Sequence, residues 1–162
     1  MSRFLAIYAG MLKGLLTALL AVMVIPVTLQ ILSRFTGLIP KYIWTEEVAR
    51  FCFVWLVMVG SALAVRDGTH FEVAMGWGAS SPRKEARARL FAHLAMLVLA
   101  VVFGWFGLKF VQFGFGQRSE MSEINMAAIY VAFPFAGFSW AVFLFEKILF
   151  ELAILARREG DQ

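Results

Sequence analysis

The chain has 162 residues, 61% of them apolar and 16% charged, with 17 phenylalanines and a formal net charge of +4. Soluble domains average roughly half apolar and about a quarter charged. Four apolar stretches, each long enough to cross a bilayer within its helix, exclude a soluble enzyme, a nucleic-acid-binding domain and a disulfide scaffold. The one cysteine, Cys52, precludes an internal disulfide and a cysteine-based metal cluster.

The first span is expected over about 14–32, with Pro26, Thr28 and Gln30 in its second half. Its length, about 28 Å as a helix, approaches the hydrocarbon thickness. A signal peptide fits less well, because the run is too long and no small-x-small cleavage site follows. Pro26 is expected to bend this helix.

The second span, about 44–65, begins in a polar segment. Glu46 and Arg50 stand four apart with the acid first, the favourable order for a helical ion pair. Thr45 is expected to cap the helix, which would put Glu46 and Glu47 in the first turn, near the positive end of the dipole. Arg66 anchors the far end, and Asp67-Gly68 reads as a turn with positive φ at the glycine.

The middle connection turns apolar again over about 71–81. That is too short to span and suits a helix lying in the interface. Ser81-Pro82 reads as a cap followed by proline at the first helical position. The third span is expected over about 90–108, with His93 near its start. The fourth is expected over about 126–145, with Pro134 inside and Ser122 as a candidate cap. The expectation is therefore a single all-α membrane domain over 1–162: four transmembrane helices plus a short interfacial helix in the middle connection.

Ten of the fifteen Lys and Arg residues fall in the N-terminus, middle connection and C-terminus, and five in the other connections. By the positive-inside rule both termini are cytoplasmic.

Charges at membrane depth mark transport chemistry. The apolar cores of spans one, two and four carry no Asp, Glu, Lys, Arg or His, and span three carries only His93. A self-sufficient ion-coupled transporter is therefore not expected, and neither is an autonomous exporter or channel. No enzyme activity, cofactor or metal is expected. His93 suggests a haem- or quinone-binding membrane anchor of a redox complex as the alternative. His70 lies in a connection and has no ligand cluster in sequence around it. Small residues at four-residue spacing, Gly60 and Ala64 in span two and Ala128, Ala132 and Ala136 in span four, mark faces for close helix packing.

The run Trp44-Thr45-Glu46-Glu47-Val48-Ala49-Arg50, followed by Trp55, Gly60, Ala62 and Ala64 and then Arg66, Gly68, His70 and Val73, resembles the small membrane subunit of tripartite ATP-independent periplasmic (TRAP) transporters, the DctQ-like family. Tyr130 and Pro134, the length and the four-span layout also suit it. The stretch 113–123 matches only loosely, and no role is carried over there. The resemblance implies a three-part, sodium-driven importer of the bacterial inner membrane, typically for an organic acid. A periplasmic solute-binding protein captures the solute, and a large multi-span membrane subunit moves it. A small subunit like this chain, set in the lipid bilayer, scaffolds the large one. Glu46, Glu47 and Arg50, with Trp44, match the start of the family's second span, and Arg66 and His70 its basic exit. These residues would orient a helix or meet a partner, and none would be catalytic. The polar end, Arg157 to Gln162, reads as a free C-terminus, so separate rather than fused subunits are expected.

Overall fold

The computed structural model describes residues 3–36, 40, 42–68, 82–119 and 123–159, the side chains of 82–87 and 154–159 excepted. It is an all-α membrane protein. Its helices are α1 (Arg3–Thr36), α2 (Trp44–Asp67), α3 (Pro82–Phe115), α4 (Ala127–Tyr130) and α5 (Ala132–Glu159). Four of them, counting α4 and α5 as one crossing, are long and apolar enough to span a membrane. The interfacial helix expected over 71–81, His70 and the candidate cap Ser122 lie outside the described residues.

The helices overrun their apolar runs. α1 and α3 have 34 residues each, about 51 Å of helix against roughly 30 Å of hydrocarbon. In α1 the extra turns are held by packing, since Leu5, Ala9 and Leu12 are buried. In α3 the extra turns begin at Pro82, whose missing N–H costs nothing at a first helical position. They continue through residues of good helix propensity.

α4 and α5 are one crossing with a single break at Val131. Pro134 contributes to it, having no N–H to offer the carbonyl of Tyr130. The ladder runs up to Val131 N bonded to Ala127 O at 2.9 Å and resumes with Phe135 N bonded to Val131 O at 3.1 Å, and between them the Ala128 carbonyl accepts from Trp55 Nε1. Asn125 begins this crossing. Its side-chain oxygen accepts from Ala127 N at 2.8 Å, and its amide donates to the Phe115 carbonyl at the end of α3 at 3.3 Å.

α5 lies between α2 and α3, and α1 packs on α2. Only 6% and 11% of the most apolar stretches of α1 and α3 are buried, against 28% in α2 and 33% in α4–α5. α1 and α3 are thus the outer helices, with Ile7, Met11 and Ile25 on one and Phe91, Val98 and Trp105 on the other exposed. The core gathers Leu12, Val59, Leu63, Ala100, Phe143 and Leu144.

Glycine sets the α3–α5 distance. A Cβ on Gly137 would lie 2.7 Å from Ala100 O and from Gly104 N, and one on Gly107 would lie 2.7 Å from Pro134 Cδ. Within the span, polar side chains bond inward. Trp140 Nε1 donates to Ser61 Oγ at 3.2 Å, and Trp55 Nε1 to Ala128 O at 3.0 Å. Ser139 donates to Phe135 O at 2.8 Å, leaving its oxygen to accept from the Tyr8 hydroxyl at 2.7 Å. These bonds satisfy groups that lipid cannot.

Candidate partner-binding ends of the bundle

Charged side chains collect at the two ends of the bundle. At the end remote from the termini, α2 opens with Ile43 already in helical conformation and no side-chain cap. The cap expected from Thr45 is not formed. Thr45 sits inside the first turn, 3% exposed, and its hydroxyl donates back to the Tyr42 carbonyl at 2.7 Å. The turn before it is already helical, so the hydroxyl finds a carbonyl three residues back rather than a free N–H ahead.

The acidic pair divides. Glu46 stays on its own helix, 3.2 Å from Arg50, with both side chains about two-thirds exposed (71% and 67%). Such a pair contributes little stability in water. Glu47 turns inward and accepts from the Ser119 hydroxyl in the α3–α4 connection. That connection is tied together by Ser119 N to Ile124 O at 2.9 Å and Met126 N to Gln117 O at 3.1 Å. A cleft of about 340 Å³ lies between Glu46, Glu47 and Arg50 on one side and Gln117, Arg118 and Ser119 on the other. Trp44 is 45% exposed beside it, its ring 6.2 Å from Tyr42. Trp44, Glu46, Glu47 and Arg50 thus share one end.

Arg66 does not join them. It lies five turns along α2, about 30 Å away. It is mostly buried, with Nη1 3.8 Å from Asp67 Oδ1. Gly68 then closes α2 at φ 78°, the left-handed conformation that glycine adopts without strain.

Around Arg66 lies a second group, one that no single stretch of sequence assembles. Lys147 of α5 donates to the Val65 carbonyl at 2.7 Å, satisfying one of the last carbonyls of α2. Arg89 of α3 pairs with Glu151 of α5 at 3.0 Å, and the Glu151 side chain is only 9% exposed. His93, one turn beyond Arg89, lies within electrostatic reach of Lys147, Glu151 and Arg89. A signal was present: Arg89 and His93, and Lys147 and Glu151, are each four apart, so each helix offers a two-residue polar face. Among the described residues, no group of three or more His, Cys, Asp or Glu side chains is arranged to hold a metal ion.

Of the small residues expected at packing faces, Ala132 and Ala136 are fully buried and Ala128 is exposed, its carbonyl taken by Trp55. Gly60 and Ala64 are half-buried, and a Cβ on Gly60 would make an ordinary 3.7 Å contact with Leu16. The tightest approaches are at Gly107, Gly114 and Gly137 instead. Ala100, Gly104 and Gly107 follow a 4-then-3 spacing that puts them on one helical face.

A four-crossing helical bundle with a charge-free middle and charged ends defines a multi-pass membrane protein. Residues 23–153 match the model of the family described as tripartite ATP-independent periplasmic transporters, DctQ component, and the chain belongs to that family. It is 26% identical over 151 residues to a putative TRAP transporter small permease protein of Haemophilus influenzae, covering 91% of each chain. It is 24% identical over 149 residues to the isethionate TRAP transporter permease protein DctMQ of Oleidesulfovibrio alaskensis. That alignment covers 88% of this chain but 24% of the longer relative. The chain is therefore a TRAP transporter small permease subunit. The relative in which its counterpart forms part of a longer permease implies association with a large TRAP membrane subunit.

Proposed function

We propose that this subunit is the non-catalytic scaffold of a sodium-driven importer of an organic acid. On this reading it lies in the bacterial inner membrane with both termini cytoplasmic and steadies the large subunit while that subunit moves the solute. A periplasmic binding protein delivers the solute. The observation that carries the reading is the family match over 23–153. Two features of the chain support it. No charged side chain lies in the apolar middle of any crossing, so coupling chemistry belongs to a partner. α1 and α3 leave long apolar faces uncovered, enough area for a large neighbour in the bilayer. The isethionate relative favours a small organic anion. In this topology Trp44, Glu46, Glu47 and Arg50 face the periplasm, where the exposed charges of Glu46 and Arg50 contact a partner, while Arg66 and His70 mark the cytoplasmic edge.

Reconstitution tests the proposal. Liposomes holding the large subunit, this chain and the binding protein should take up the organic acid when a sodium gradient is imposed. Omitting this chain should reduce that uptake severely, and this chain alone should pass no solute. Uptake indifferent to its omission, or flux through it alone, would contradict the scaffold role.

A further inference from the structure

A cavity of about 650 Å³ separates the end of α1 from the start of α2, at the end remote from the termini. Its walls include Gln30, Ser33 and Arg34 from α1 and Tyr42, Thr45 and Glu46 from the other side. The lining mixes these polar groups with Leu29, Pro40 and Ile43. Ser33 and Thr45 are buried there, and the side-chain N–H₂ of Gln30 is buried with no acceptor. A buried donor without a partner is costly, and natural structures rarely leave one. Gln30 and Arg34 are four apart, so they share one face of α1. Together they offer an amide and a guanidinium to an oxyanion. Across the cavity Glu46 offers a carboxylate, of which Oε1 accepts from Arg50, leaving Oε2 for a cation. The apolar run of α1 ends near Leu32, so these groups sit where hydrocarbon gives way to headgroups.

We propose that this cavity binds a phosphoethanolamine group. The phosphate is held by Gln30 and Arg34, and the ammonium by Glu46. The chemistry selects against the common alternatives. A purely anionic headgroup brings no cation to the free oxygen of Glu46, and a trimethylated amine has no N–H to donate to it. The cavity shares Ile43 and Glu46 with the acidic-pair cleft, and its ligand does not depend on the transport reading.

Thermal unfolding of the purified full-length chain in mild detergent, followed by tryptophan fluorescence, tests it. The additions are phosphatidylethanolamine, phosphatidylcholine, phosphatidylglycerol and water-soluble O-phosphoethanolamine. Phosphatidylethanolamine should raise the unfolding temperature by several degrees, and the other two lipids should not. A shift with the lipid but not the soluble compound assigns the group to the bilayer, and a shift with both assigns it to either source. The Gln30→Leu variant should unfold at the same or a higher temperature without lipid, because the orphaned donor is gone, while its affinity for phosphatidylethanolamine falls at least about tenfold. Arg34→Gln, at an exposed position, should weaken binding similarly and serves if Gln30→Leu fails to fold. Equal shifts with all three lipids, no shift with either ethanolamine compound, or an undiminished shift in both variants would overturn the proposal.

Discussion

Replacing Gly137 by alanine places a methyl group 2.7 Å from Ala100 O, 2.7 Å from Gly104 N and 3.1 Å from Gly104 Cα. All three are backbone atoms of α3, so no side-chain rotation relieves the contact. Restoring an ordinary separation of about 3.5 Å requires α3 to withdraw by nearly 1 Å, and a gap of that size forfeits a quarter to a half of each dispersion contact along the seam. Overpacking of this kind costs about 1–3 kcal/mol. Alanine returns up to ~1 kcal/mol through helix propensity, so the net loss should be about 1–2 kcal/mol. Gly14 is the control, because a Cβ there meets nothing within 4 Å. Gly14→Ala should be neutral or stabilising by up to ~1 kcal/mol. Reversible unfolding in mixed micelles, read by tryptophan fluorescence, compares the two directly. If both variants shift stability by the same amount and sign, the close α3–α5 approach is not what holds the outer helix in place.

Other consequences follow from the polar contacts. Trp55→Phe keeps the ring, 5.7 Å from Phe135, but removes the N–H that bonds Ala128 O. The expected loss is about 1 kcal/mol in the same unfolding assay. Arg89→Met strips the nearly buried Glu151 of its partner and should cost about 2 kcal/mol, reduced from the fully buried case because Arg89 is half-exposed. Arg50→Met, on the exposed pair, should stay within ~0.5 kcal/mol of the parent. Arg50→Glu puts a third acid beside Glu46 and Glu47. The bundle should unfold within ~0.5 kcal/mol of the parent, but co-purification with the large subunit should drop; unchanged co-purification would remove this cleft from the interface.

The four crossings were legible because an unbroken apolar run of bilayer length is satisfied best by a membrane-spanning helix. What the sequence obscured were features fixed by neighbours. The span expected from about residue 14 left out the first turns of α1, which Leu5, Ala9 and Leu12 pack into the bundle. Asn125 bonds both the Phe115 carbonyl at the end of α3 and the Ala127 amide at the start of α4, a link its place in the sequence did not suggest. Thr45 had the right chemistry for a cap but lay inside a turn that was already helical. The acidic pair could be placed on one helix turn, yet nothing in its spacing showed that Glu47 reaches Ser119, which lies 72 residues away. The group around Arg89, Lys147 and Glu151 was hidden for the same reason. Its members come from three helices, and pairings 62 and 82 residues apart leave no local trace beyond two i, i+4 polar pairs.

Association with a large partner is the most direct consequence of the scaffold role. The chain should be tagged at its C-terminus, extracted from native membranes in mild detergent, and the co-purifying proteins identified by mass spectrometry. One much larger multi-span TRAP membrane subunit is expected in stoichiometric amount. Recovery of the chain alone, or with redox subunits and a haem absorbance, would contradict that role.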